Sequence, residues 1–192
     1  MEILESRDGI DIIRLYSSHD AKPYRASFVG SYQTVFAAPP YNERFFPSEA
    51  EAVIHKTLQT KDHITLLCVK EELVIGFGFA IPVSSRSSVI QKLRGLLPVS
   101  NSFYLAELGV LEKYRRRGLG RALTEHRIRL IDTQKYSYAV LRTSVVKDSS
   151  YKMFRSMEFE DMGVYTEVSS RRVDGKVRTD RRLYLTRMLN PS

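Results

Sequence analysis

The chain has 192 residues (22.1 kDa), with 43% hydrophobic and 27% charged residues and a mean hydropathy of −0.27. That is enough to bury one core, too apolar for a disordered polymer, and free of the ~18–20-residue apolar run that a membrane helix needs. Thirty Lys+Arg against 22 Asp+Glu leave a net charge of +8, which points to an anionic partner: nucleic acid, a membrane surface or a phosphorylated cofactor.

The N-terminal stretch MEILESRDGIDII carries early acids and no apolar segment, unlike a secretory signal, so a cytoplasmic location is expected. Residues 10–16, IDIIRLY, predict the first strand. Asp20 is placed to cap a helix near Pro23, along which Tyr24, Phe28, Tyr32, Val35 and Phe36 recur at helical spacing until Pro39-Pro40 stop it. Ser48 to Glu51 read as a capping box opening a second helix that runs to about Gln59. ITLLCVK (64–70) and LVIGFGFAIP (73–82) predict two apolar strands around a Glu71-Glu72 turn. The lone cysteine, Cys68, rules out an internal disulfide, and His19, His55, His63 and His126 have no metal-ligand spacing, so no metal is expected.

Residues 84–101 are polar, with a helical turn at SVIQKLRGLL, and read as a functional loop or lid. FYLAELGV (103–110) predicts a strand buried on both faces. The following helix has the apolar stripe Leu119, Ala122, Leu123, His126 and Leu130, and SYAVLRTSVV (137–146) predicts another buried strand. Strand, helix and strand form a βαβ unit, so the two strands are expected to be parallel. A helix at about 149–157 precedes strands at about 159–168 and 177–189, joined through Asp174-Gly175. The expected fold is α+β: a single domain over 1–192, with a mixed sheet of six to seven strands and about four helices. The sheet is expected to be antiparallel at both ends with a parallel pair in the middle.

The segment 104–123 carries the chemistry. Five basic residues lie between Lys113 and Arg121, beside Gly118-Leu119-Gly120 at the start of a helix. Glycine allows close backbone approach, and the first helical N–H groups lack internal partners, so this turn is an anion site suited to a pyrophosphate. It is neither a Walker loop nor a dinucleotide fingerprint. The alternative is a glycine turn with solvated arginines.

Arg115-x-x-Gly118-x-Gly120 after Leu108-Gly109-Val110 resembles the acetyl-coenzyme A signature of the GNAT superfamily of N-acetyltransferases, and the element order over about 9–190 is similar to that fold. The resemblance implies that the backbone of Leu108, Gly109 and Val110 binds the pantetheine arm. It also implies that Arg115, Arg116, Arg117, Gly118, Leu119, Gly120 and Arg121 form the pyrophosphate turn, with Ser150 nearby on the next helix. Acetyl-CoA is then the co-substrate and an amine of a small molecule or protein the acceptor. Members often carry a tyrosine that protonates the departing thiolate; here that position is Phe154, and the usual asparagine position is Lys147. Either Tyr151, one turn earlier, supplies the proton, or the thiolate leaves unaided, as a group of pKa about 8.5 can.

Glu107 is the only charge in its strand and is the expected general base, its pKa raised by burial; the alternative is an ion pair with Arg142 on the neighbouring strand. Tyr41 and Glu43, after the paired prolines, offer an aromatic face and an anion on the acceptor wall, or are a helix stop with a surface acid. Arg142 is also placed on the acceptor side. The seven basic residues between Arg171 and Arg187 read as a solvated face. Two other classes of function compete: an acyl-CoA-binding regulator without turnover, and a basic nucleic-acid-binding module, for which interleaved exposed aromatics are lacking. A membrane partner is not expected, and a homodimer is left open.

Overall fold

The computed structural model describes residues 1–146 and 149–189; Lys147 lies outside them. Eight strands form one sheet in the order β1-β2-β3-β4-β5-β6-β8-β7. The strand beyond the expected six to seven is β1 (Glu2–Arg7), which pairs antiparallel with β2 (Ile10–Leu15) across Asp8-Gly9, both at positive φ. The Asp-Gly pair is a hairpin signal, yet EILESR lies at the sheet edge, where no strong alternation is imposed on it.

Helix α1 (Ser18–Ala21) is capped by Ser17, whose Oγ accepts from the Asp20 N–H. Asp20 is therefore not the cap; its carboxylate reaches back to accept from the Tyr16 N–H at 2.8 Å. A 3₁₀ turn with Pro23 then leads into α2 (Arg25–Ala37). Helix α3 (Pro47–Leu58) starts one residue earlier than its expected cap, with Pro47 in the first turn and Glu49 accepting from the Phe46 N–H at 2.7 Å. Strands β3 (Ile64–Lys70) and β4 (Leu73–Pro82) form the expected hairpin, with Glu71 and Glu72 both at positive φ. Segment 84–101 folds rather than standing open: α4 (Ser87–Leu93) buries Val89 and Leu93 against Ile81, Tyr104 and Tyr184.

Strand β5 (Ser102–Val110), helix α5 (Leu119–Arg129) and strand β6 (Tyr138–Ser144) form the βαβ unit, and β5–β6 is the parallel pair. Helix α6 (Ser149–Arg155) and the long hairpin of β7 (Glu160–Arg171) and β8 (Val177–Met188) complete the chain. Alternation along the strands divides the core between the sheet faces. Leu15, Leu67, Phe77 and Phe79 pack under α2 and α3, while Ile12, Leu66, Cys68 and Leu105 pack with Leu119 and Leu123 of α5. No helix among the described residues is long and apolar enough to cross a membrane.

Candidate active site

The parallel ladder is short. Ser102–Leu105 register with Tyr138–Leu141, after which β5 stays with β4 and β6 stays with β8. Where the ladder ends, β4–β5 carries a bulge: Phe79 pairs with Glu107 and Ala80 with Leu105, so Ala106 is the extra residue. The two central strands thus splay into a wedge. The Leu111 N–H bonds to the Ile75 carbonyl of β4 at 2.9 Å, and backbone polar groups alternate sides along a strand. Glu107 and Gly109 therefore direct their N–H and C=O groups at β4, leaving those of Leu108 and Val110 on the wedge side. Gly109 is required for a separate reason: a Cβ there would stand 2.4 Å from the Phe77 ring.

A groove of about 1590 Å³ runs through the wedge to the start of α5, lined by Leu108 to Val110 and by Arg115, Arg116, Gly118, Leu119, Gly120 and Arg121. Gly118 is the N-cap of α5 at φ +78°, a conformation that costs a side-chain-bearing residue energy. The Arg115 Nε donates to the Val110 carbonyl at 3.1 Å, tying the turn to the end of β5. Arg7 donates to the Arg117 carbonyl at 3.0 Å, so the β1 hairpin braces the turn from outside. Arg121 pairs with Glu125 at 3.4 Å, and Arg117 lies over the Tyr114 ring. On the far wall Ser150, Met153 and Phe154 of α6 line the groove.

Glu107 is half-buried in the wall, on the α2 side of the sheet, and the Tyr32 hydroxyl donates to it at 3.4 Å. Burial pushes its pKa up to about 7, against the pull of Arg86, Arg142 and the Tyr32 hydrogen bond. Arg142 acts on Glu107 without forming an ion pair with it among the described residues, so the structural-pair alternative does not describe this carboxylate. Desolvation beside Glu107 also raises the Tyr32 phenol, which keeps its proton.

Beneath the bulge lies Arg127, 1% exposed. Its guanidinium donates to the carbonyls of Phe79 (3.2 Å), Glu107 (2.9 Å) and Leu123 (3.2 Å) and to Thr124 Oγ1 (3.0 Å). By bonding to carbonyls of both strands beside the bulge, it fixes the backbone that carries Glu107. Burial lowers its pKa to about 9, still cationic at neutral pH. The sequence signal was its place four residues after Leu123, on the helix's buried side.

The opposite end of the groove is closed by the β7–β8 hairpin. Its tip reaches past the end of β6 to the α2–α3 loop, where Arg44 N–H bonds to the Arg171 carbonyl at 2.8 Å and Val173 N–H to the Asn42 carbonyl at 3.0 Å. Arg172 also donates to the Tyr41 carbonyl. Glu43, 8% exposed, is not a surface acid: it lies 3.2 Å from Arg182 and 3.9 Å from Arg172, and Arg172 also pairs with Asp180 at 2.7 Å. Burial raises the Glu43 pKa and the two arginines oppose that rise. The Tyr41 ring lies under Arg182. The basic stretch 171–187 is accordingly not one solvated face, since Arg172 and Arg182 are spent inside this lock.

Residues 29–159 match the Acetyltransferase (GNAT) family. The chain belongs to that family. The fold agrees: the structure of a ribosomal-protein-alanine N-acetyltransferase from Brucella melitensis superposes with a TM-score of 0.66 at 16% identity, covering 93% of this chain and 99% of that one. The structure of Arabidopsis thaliana NAA60 in complex with acetyl-CoA gives 0.63 at 14% identity, covering 94% and 99%. A Mus musculus protein described as "Probable N-acetyltransferase family 8 member 5" is 34% identical over 65 residues, which is 34% of this chain and 29% of that protein's length.

One position on α6, Phe154, departs from the GNAT pattern, and Tyr151 is the candidate to replace it. Phe154, in place of the usual tyrosine, is 6% exposed and lines the groove without any proton to give. Tyr151 is half-buried, packs against the α5-side core and is not among the groove-lining residues. The tyrosine that does meet the expected base is Tyr32, whose spacing reads only as a core position of an amphipathic helix.

Proposed function

We propose that this GNAT protein transfers an acetyl group from acetyl-CoA directly to a primary amine. The observation that carries the reading is the splayed end of β5. Backbone groups of Leu108 and Val110 that turn away from β4, a left-handed glycine turn at a helix N-terminus and a carboxylate titrating near neutrality all face one groove. The residues present fit the co-substrate: Leu108 and Val110 offer an extended strand edge for the pantetheine arm, and the 115–121 turn offers amides and arginines for the diphosphate.

Bound acetyl-CoA would supply the thioester carbonyl. An alkylammonium of pKa near 10.4 is only about one part in 10³ neutral at pH 7, a penalty of roughly 4 kcal/mol. Glu107 takes that proton, directly or through water, as the amine nitrogen bonds to the carbonyl carbon. The Val110 N–H, facing the wedge, stabilises the oxyanion. The C–S bond then breaks and the thiolate leaves without a tyrosine acid, taking its proton from solvent. Cys68 has no part in this, because its thiol is buried and its pKa is pushed up to about 12. Arg127 holds the Glu107 backbone, while Arg142, Tyr41 and the Glu43 lock shape the acceptor end. The test is thermal: acetyl-CoA raises the melting temperature where an equal concentration of NAD does not, and thiol release follows with an amine panel. A shift without thiol release from any amine would favour the regulator reading, and no shift would remove both.

A further inference from the structure

Two of the arginines that line the groove with Glu107 have no acid partner of their own among the described residues. Arg86 follows β4 and its 3₁₀ turn at the groove rim, and Arg142 is the first residue of β6 past the last parallel pair. Both line the same groove as Glu107. Both act on Glu107 and also on the buried Tyr104 hydroxyl. Among the described residues neither arginine makes an ion pair or a side-chain hydrogen bond. The acids nearby have partners: Glu43 and Asp180 pair with Arg172 and Arg182, and Glu49 accepts from the Phe46 N–H, while Arg44 and Arg171 lie over the Phe46 ring and add further positive charge.

The consequence is an electrostatic one. Glu107 carries at most one negative charge, and the two guanidinium groups of Arg86 and Arg142 exceed it. A simple alkylammonium approaches this end against net positive charge, and a polyamine finds no free carboxylate for its second cation. We infer that the acceptor is a primary amine that bears a carboxylate close to the nitrogen, held by Arg86 and Arg142 while the amine faces Glu107. This deepens the acetyl-transfer reading of the same site and rests on it. Guanidinium groups suit the task because their planar donor fork matches a carboxylate and stays charged at any working pH.

The experiment compares aspartate with asparagine amide, and an Asp-initiated tetrapeptide with its Asn counterpart, as acetyl acceptors for the wild type, R86E and R142Q. Arg86 is exposed, so R86E retains the fold. The expected result is a kcat/KM at least about tenfold higher for the acidic member of one pair, the scale of a single charge-assisted contact. That ratio should collapse in R142Q and invert toward the uncharged member in R86E. The pair that shows the effect separates a free acidic amine from an acidic peptide N-terminus. Equal rates within both pairs, or a ratio unchanged by R86E, would overturn the inference while leaving acetyl transfer intact. Should no amine be acetylated, binding decides: N-acetylaspartate should raise the melting temperature of the CoA-loaded protein more than its diamide does, and equal shifts would overturn the inference independently of turnover.

Discussion

The two ends of the groove are built in opposite ways. The coenzyme end comes from one continuous stretch, residues 104–123, where strand, turn and helix follow each other and most of the contacts are backbone groups. The acceptor end is assembled from Tyr32 on α2, Glu43 before α3, Arg86 after β4, Arg142 on β6 and the β7–β8 tip, and it works through side chains. A site made of local backbone geometry depends on glycine and helix-start positions and tolerates changes elsewhere. A site made of distant side chains depends on the packing that brings them together, so it can change specificity without disturbing the coenzyme end.

Breaking the junction of the two ends should have the largest effect. Glu107→Gln keeps the shape and removes the basicity, so turnover at pH 7 should fall roughly 10²–10⁴-fold with acetyl-CoA affinity nearly unchanged. Stability should move the other way. The folded-state pKa of Glu107 is raised to about 7, so the unfolded chain ionises first, and the wild type loses stability as pH climbs from about 4.5 to 7. Glu107→Gln escapes that loss: matched near pH 4.5, it should be more stable by on the order of 1–3 kcal/mol at pH 8, read from urea melts at both pH values.

Breaking the acceptor end alone comes next. Glu43→Ala leaves the buried Arg172 and the half-buried Arg182 with only Asp180, and should cost about 3 kcal/mol of stability in a urea melt. The surviving folded protein should bind acetyl-CoA as tightly as before; a parallel loss of coenzyme affinity would show that the two ends are not separable. Gly118→Asp is the converse, placing a negative charge and a strained left-handed side chain where the diphosphate approaches. It should weaken coenzyme binding by roughly 10–100-fold in titration calorimetry, with acceptor selectivity in the residual activity unchanged. The smallest effect is expected for Tyr151→Phe, whose kcat should stay within about twofold of wild type, since the hydroxyl it loses lies off the groove lining.

The same contrast decides what could be read from the residues in order. Leu108-Gly109-Val110 and the 115–120 turn were legible because their function lies in chain spacing. The eight-strand sheet was legible except for β1, whose edge position relaxes the alternation that marks a strand. The Ala106 bulge carries no local signal, because it arises from register against β4, and with it the role of Arg127 stayed hidden. Tyr32 looked like one more apolar position of α2, since a periodicity cannot tell a ring that fills a core from one whose hydroxyl ends at a carboxylate. The arginines of 171–187 looked solvated because only the reach of the β7–β8 hairpin to the 42–44 backbone buries Arg172 and half-buries Arg182.

The central claim is that Glu107, raised toward neutrality in the wedge, accepts the acceptor's proton. Its most direct test is the pH dependence of kcat/KM for wild type and Glu107→Gln side by side. The wild-type curve should rise from acid pH and bend near pH 7, where Glu107 ionises, whereas the variant should lose that bend and keep rising with pH as the amine deprotonates unaided. The same bend near pH 7 in both proteins, with similar rates above it, would contradict the assignment and leave the amine to be activated by water and proximity alone.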